Sequence, residues 1–235
     1  MPDSNYFKKL VESRKKMRTK DISDELAERE VNTLFNLLKH FYQKDFNDSA
    51  NVVVDIGCGD GYLKKCFEKK KFKYLGYDVE DLDIEKDKLP VDDCSVDIVI
   101  NIGLIEALKD YKNLMSESYR ILRPNGFFYT ITPNWHKDYK NFYNNPIHKK
   151  PYTPNSLKQA LEINNFNSVK ILPGLRSKPM WYYKGYLRFE KAYFLLPFNR
   201  YDFKKKKYYS NNFIRRLIPE FLKGHSRSII AIAKK

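Results

Sequence analysis

The stretch VVVDIGCGDGYL, residues 52 to 63, limits what this chain can fold into more than any other. A β-branched run reaches Asp55 and Ile56, and Gly57, Gly59 and Gly61 then fall within five positions. β-Branched residues suit a buried strand. Glycines at the first strand-to-helix turn of an open α/β sheet let a ligand approach the main chain, beside the free N–H groups of a helix start. A dinucleotide fingerprint needs its third glycine where this chain has Tyr62. Asp55 weighs in the same direction, since a carboxylate two residues ahead of Gly57 repels a pyrophosphate and attracts an ammonium.

The flanking residues supply the rest of such a sheet. Val31, Leu34, Phe35, Leu38 and Phe41 repeat at helical spacing within residues 22–43, and Tyr62, Leu63, Cys66 and Phe67 start a second helix after the glycines. KYLGYD (73–78) and SVDIVIN (95–101) read as strands. A helix over about 110–122 carries Leu114, Met115, Ile121 and Leu122 and stops at Arg123-Pro124-Asn125-Gly126, a turn leading into the strand GFFYTIT. Thr153-Pro154 opens a helix to about 164, NSVKIL is the strand after it, and SRSIIAIAKK is the last. This alternation predicts a doubly wound, mostly parallel sheet with helices on both faces.

With these blocks in this order, residues 30 to 172 resemble the class I S-adenosylmethionine-dependent methyltransferases. The resemblance implies a Rossmann-like sheet of seven strands, the last antiparallel, and S-adenosyl-L-methionine as cofactor. Asp55, Gly57, Cys58, Gly59 and Gly61 then hold the methionine portion. Asp78, with Val79 beside it, presents two acceptor oxygens to the ribose hydroxyls. Asp83 and Ile84 flank the adenine, with Glu85 and Asp87 as alternatives to Asp83, because the loop to Pro90 is shorter than relatives commonly have. Asn101 and Ile102, expected just past a strand, lie near the methionine end. Cys58 reads as a small filler between glycines.

The acceptor is approached through its chemistry. A hydroxyl acceptor benefits from a general base, and two histidines follow GFFYTIT, in NWHKDYKNFYNNPIHKKPYT: His136 and His148. The second half of this segment resembles a subgroup of methyltransferases associated with surface-polysaccharide synthesis, with Asn145 where a D-P-x-H pattern carries aspartate. That likeness favours His148 as base and a sugar hydroxyl as acceptor; the competing reading is that His148 only pins the loop. Glu106 in GLIEAL is a further cleft residue, and Ala107 replaces the histidine many relatives carry beside it. NIGLIEAL lacks the Asn/Asp-Pro-Pro-aromatic motif of amino-methylating nucleic-acid enzymes, Cys94 precedes its strand rather than following it, and no cluster suggests a metal. RNA or lipid/quinone methylation, and a scaffold that binds the cofactor without turnover, are the alternatives.

Charge narrows the partners. Of a net +15, most sits in residues 176–223, with thirteen Lys or Arg against three Asp or Glu, interleaved with aromatics such as Trp181, Tyr182 and Phe189 and ending near Lys204–Lys207. Such a segment is a packed cap with a solvated basic face, a contact for an anionic membrane, or a clamp for single-stranded RNA. A lipid-diphosphate-linked glycan acceptor satisfies both the charge and the polysaccharide likeness, and nucleic acid ranks below it. The expected organisation is an N-terminal basic helical extension (1–30), a cofactor-binding core (31–172), a basic aromatic-rich insertion or cap (173–223) and a final core strand (224–235). No run reaches the roughly 18 apolar residues of a membrane span, and three cysteines without a C-x-x-C spacing suit a reducing compartment. A cytosolic protein, peripheral at a membrane surface, is the expectation.

Overall fold

Valine- and isoleucine-rich runs form the middle of the sheet in the computed structural model, which describes residue 9 and residues 20–46, 51–174, 201–202, 207–208 and 227–235. β1 (Val52–Ile56) and β3 (Val96–Ile102) lie side by side and parallel, with Val53, Val54, Ile98 and Val99 fully buried. β2 (Lys73–Tyr77) pairs parallel to the other edge of β1, and β4 (Leu122–Pro133) parallel to β3. β5 (Asn167–Pro173) is an outer strand. β6 (Tyr201–Asp202) and β7 (Lys207–Tyr208) pair antiparallel as a separate ladder. β8 (Ser228–Lys234) enters between β4 and β5, antiparallel to both, giving the order β2-β1-β3-β4-β8-β5.

Helices cover both faces, as expected. On one, α1 (Lys20–Tyr42) and α2 (Lys64–Lys69) pack Val31, Leu34, Leu38 and Phe67 against Val53, Ile98 and Ile230. On the other, α3 (Lys112–Ile121) and α5 (Pro154–Ile163) pack Leu114, Met115, Leu157 and Leu161 against Val54, Val99, Phe128 and Ala231. Two apolar layers against one sheet leave the ends of its strands for polar chemistry. Thr153 caps α5 in a reciprocal box with Ser156, and Pro154 stands in the first turn, where a missing N–H costs nothing. A short helix, α4 (Trp135–Asp138), lies just beyond β4.

Two expectations are corrected. Among the described residues the main sheet has six strands rather than seven. The 18 residues from Asp78 to Ser95 are too few for a helix and a further edge strand, and they fold as turns. Glu117 accepts from the Leu89 N–H at 2.7 Å, and Arg120 donates to the Leu89 and Val91 carbonyls at 3.0 and 2.8 Å, so α3 pins this connection. The expected turn at Arg123–Gly126 is instead a bulge inside β4. The pairing steps from Val96↔Leu122 to Ile98↔Phe127, Asn125 has φ +67°, and Lys235 holds the bulge through Asn125 and Gly126.

α1 runs unbroken through residue 30, the expected boundary of the N-terminal extension. The expected basic insertion, 173–223, lies outside the described residues apart from Pro173, Gly174, β6 and β7. Among the described residues no helix is long and apolar enough to cross a membrane.

Candidate functional site

The chain leaves β1 for β2 on one side and later returns to β3 on the other, so a crevice opens at the carboxyl ends of these strands. Gly57, Gly59 and Gly61 form its floor with φ of +78°, +59° and +67°, a region that L side chains seldom enter. A Cβ on Gly57 would lie 3.1 Å from Leu104 Cβ, whereas nothing lies within 4 Å of one on Gly59 or Gly61. The turn is therefore closed under Gly57 and open above the other two. The Gly57 and Cys58 N–H groups donate to the Tyr77 carbonyl at 2.7 and 3.3 Å, clipping the turn to the end of β2.

Asp78, the first residue past β2, lines this crevice. Its Oδ2 accepts from the Gly59 N–H at 2.5 Å and its Oδ1 from the Val79 N–H at 2.7 Å, while its own N–H donates to Asp81 Oδ2. Two main-chain donors fix the plane of the carboxylate, and each oxygen retains a lone pair for a diol. Val79, Asp83, Ile84, Leu104 and Leu108 continue the wall as a largely apolar slot with acids at its rim. Asp83 Oδ1 accepts from the Glu85 N–H, and Lys86 pairs with its Oδ2 at 3.4 Å. Glu85 also faces the crevice but caps the main chain at Lys109 and Asp110, and Asp87 caps Asp83. Of the three acids, Asp83 and Glu85 reach the slot.

Other expected residues stand behind the floor. Asp55 is 2% exposed, and Tyr74 donates its hydroxyl to Asp55 Oδ2 at 2.6 Å. Burial pushes the Asp55 carboxyl up to about 7, against the pull of the Tyr74 hydrogen bond and with some repulsion from Asp78. Cys58 packs over β2 at Gly76, where a Cβ would meet its Sγ at 2.9 Å. Burial, and then the negative charge of Asp55, Asp78 and Asp81, pushes the Cys58 thiol up to about 12, which fits a filler and not a nucleophile. Asn101 lies inside β3, fully buried, its Oδ1 taking the Thr130 hydroxyl at 2.7 Å and its Nδ2 lacking a hydrogen-bond partner among the described residues. Ile102 ends β3 and packs toward the α1 side.

The loop over β3 and β4 carries the histidines. His136 sits in α4, its main-chain N–H held by Asn134 Oδ1. His148 stands one residue before Lys149, which lines the crevice. His148 Nδ1 lies 2.8 Å from the Phe142 carbonyl, an acceptor only, so this nitrogen carries the proton and Nε2 the lone pair. Asn145 Nδ2 donates to that Nε2 at 2.9 Å, so the asparagine in the D-P-x-H position reaches the histidine. Glu106 Oε1 lies 3.8 Å from Nε2. Glu106 is 2% exposed, and its main-chain carbonyl takes the Lys149 and Lys150 N–H groups, tying the loop to the end of β3.

Residues that sequence reasoning missed are Tyr74, Gly76 and the crevice wall at Leu104, Leu108 and Lys149. Only strand pairing brings Tyr74 and Gly76 to the glycine turn, and no local signal marks them. A nucleoside with a cationic amino-acid tail, the ligand implied by the resemblance, fits this crevice: an open glycine cradle, a fixed carboxylate for the diol, an apolar slot for the base and a buried acid beneath. Among the described residues no group of His, Cys, Asp and Glu is placed to hold a metal ion.

Residues 23–171 match a family described as a methyltransferase domain. Over 131 residues the chain is 30% identical to a protein of Mycolicibacterium smegmatis named "Probable S-adenosylmethionine-dependent methyltransferase", covering 48% of this chain and 51% of that one. The chain thus spans about half the length of that relative. Among solved structures, a SAM dependent methyltransferase from Archaeoglobus fulgidus superposes with a TM-score of 0.57 at 20% identity, covering 90% of this chain and 94% of the other. A Haemonchus contortus phosphoethanolamine N-methyltransferase 2 in complex with S-adenosyl-L-methionine gives 0.51 at 16% identity, covering 92% of this chain and 57% of that one. At these identities the structural likeness concerns the fold.

Proposed function

The chain belongs to the S-adenosylmethionine-dependent methyltransferases, and from that premise we propose that it methylates a hydroxyl of a small molecule or glycan, a sugar in surface-polysaccharide synthesis. When bound, the sulfonium supplies an electrophilic methyl group. The chain's own residues hold it and prepare the acceptor. Gly57, Gly59 and Gly61 make room for the methionine portion above Asp55 and Cys58, with Asn101 and Ile102 behind it. Asp78 and Val79 take the ribose, and Asp83 and Ile84 take the adenine.

The tautomer of His148 carries the hydroxyl reading. Nδ1–H is committed to the Phe142 carbonyl, so Nε2 is the basic nitrogen. An acceptor hydroxyl that replaces the Asn145 amide as donor to Nε2 passes its proton there as its oxygen attacks. General-base assistance of this kind contributes typically about 10²- to 10⁴-fold in rate. A lipid-diphosphate-linked glycan as acceptor, and peripheral contact of a cytosolic protein with an anionic membrane, rest on the composition of residues 176–223 and belong to the same proposal.

The test follows tritium from methyl-labelled cofactor in cell extracts supplemented with the purified protein. The expected result is base-stable label in a glycan or lipid-linked glycan fraction, diminished at least about tenfold by His148→Asn with cofactor affinity retained. Label in RNA, or cofactor binding without release of S-adenosylhomocysteine, contradicts the proposal.

A further inference from the structure

We infer that Glu106 is the positioning residue for His148: its buried carboxylate holds the imidazole ring and stabilises the imidazolium formed when Nε2 takes the acceptor's proton. This inference rests on the reading of His148 as base. Glu106 follows β3 in a single 3₁₀ turn, Ile105–Ala107, and is enclosed at 2% exposure. Its Oε2 accepts the hydroxyl of Thr132, itself 1% exposed on β4. That bond at 2.9 Å sets the plane of the carboxylate and leaves Oε1 facing His148 Nε2 at 3.8 Å. The arrangement is that of a general base backed by a carboxylate, with one difference: the carboxylate stands beside the nitrogen that gains the proton.

The neighbouring groups define when this carboxylate acts. In the neutral ring Nε2 accepts from Asn145 Nδ2, so Glu106 has no proton to receive from it. Once the acceptor hydroxyl has displaced the Asn145 amide and given its proton to Nε2, Glu106 Oε1 is, among the described residues, a carboxylate oxygen within ion-pair distance of that nitrogen. The proton thus moves from the acceptor hydroxyl to Nε2, remains there against Glu106 while the new O–C bond forms and the C–S bond gives its electron pair to sulfur, and then leaves to solvent. Asp138 also feels the His148 charge, but its carboxyl is raised by burial and engaged by Asn141 at 3.2 Å and by Arg227 at 3.7 Å. The Tyr152 hydroxyl, raised first by burial, also feels the charge of Glu106. Among the described residues, Glu106 is the carboxylate in direct reach of Nε2.

The test is an NMR titration of the His148 imidazole in the full chain without cofactor, its signal assigned by His148→Asn. Glu106→Gln keeps the main-chain bonds to Lys149 and Lys150 and an acceptor for Thr132, but removes the charge. The expected result is a midpoint lowered by about 1 to 3 units, restored in large part by Glu106→Asp, with the acid limb of turnover moving to lower pH by the same amount. A folded Glu106→Gln protein whose His148 midpoint moves by less than about 0.3 units overturns the inference. Should Glu106→Gln fail to fold, the wild-type titration decides: a midpoint above the ordinary 6.5 or so is expected, and one at or below it overturns the inference. A shifted midpoint together with full turnover in His148→Asn overturns the base reading and the catalytic meaning of the pair, while leaving the electrostatic contact measured.

Discussion

Tyr74 and Asp55 share a hydrogen bond of 2.6 Å under the glycine turn, the tyrosine on β2 and the aspartate on β1. The bond meets one oxygen of a carboxylate that the fold has taken almost wholly out of water. Burial still outweighs it, and the Asp55 carboxyl stands at about 7 rather than near 3.8. A group raised in the folded state contributes stability that is fully present below its unfolded value and is lost as pH rises through the folded one. Stability should therefore fall between about pH 4 and pH 7 through Asp55, by at most roughly 4 kcal/mol. Asp55→Asn should remove that component, so that the difference between mutant and wild type in urea melts grows from pH 4 to 7. A difference independent of pH contradicts the assignment.

Gly76 is required by a neighbour and not by its own conformation. A methyl group there would lie 2.9 Å from Cys58 Sγ and 3.1 Å from the Tyr74 ring. Gly76→Ala should cost about 1 to 3 kcal/mol by overpacking and should weaken cofactor binding by displacing the turn. Cys58→Gly in the same protein should recover part of both losses, because two of the three close contacts are with Cys58. Additive losses in this double-mutant cycle would sink the packing argument.

Arg120 and Glu117 hold the connection between β2 and β3. Glu117 is kept below the usual carboxylate range by its hydrogen bond to Arg120, despite partial burial. Arg120→Met leaves Glu117 without its cation and releases the Leu89 and Val91 carbonyls. The expected loss is about 2 to 3 kcal/mol in urea unfolding, below the full value for a buried pair because Arg120 is partly solvated. A loss under about 0.5 kcal/mol contradicts the pinning role.

Much of this fold was legible because its signals are local. The valine run at 52–54 marks a strand, the Val31, Leu34 and Leu38 spacing marks a helix, and Thr153-Pro154 marks a helix start, each within one turn or one pleat. The crevice was legible for the same reason, since positive-φ glycines and the acid closing LGYD announce themselves in short windows. What escaped depends on pairing across the sheet. Tyr74 reads as any strand aromatic until β2 lies beside β1, and Gly76 as a flaw until Cys58 lies over it. The seven-strand expectation came from the resemblance, whereas the short 78–95 connection leaves room only for turns. Asn101, expected beyond its strand, belongs to it because Thr130 on β4 supplies the partner for its side chain. Glu106 reads as a cleft residue in the sequence, whereas the structure buries it at 2% exposure, and its contact with His148 depends on a loop some forty residues further along the chain.

Asp78 is where the reading of the crevice is most exposed to refutation, because both its oxygens already hold the main chain at Gly59 and Val79 and are asked to hold a diol as well. Calorimetric titration of S-adenosylhomocysteine into the wild-type chain and into Asp78→Ala tests it directly. The expected result is a single site in the wild type, with affinity reduced at least about 30-fold in the mutant, the loss of hydrogen bonds to a charged group. Equal affinity in the two proteins, or no binding in the wild type, would contradict the account.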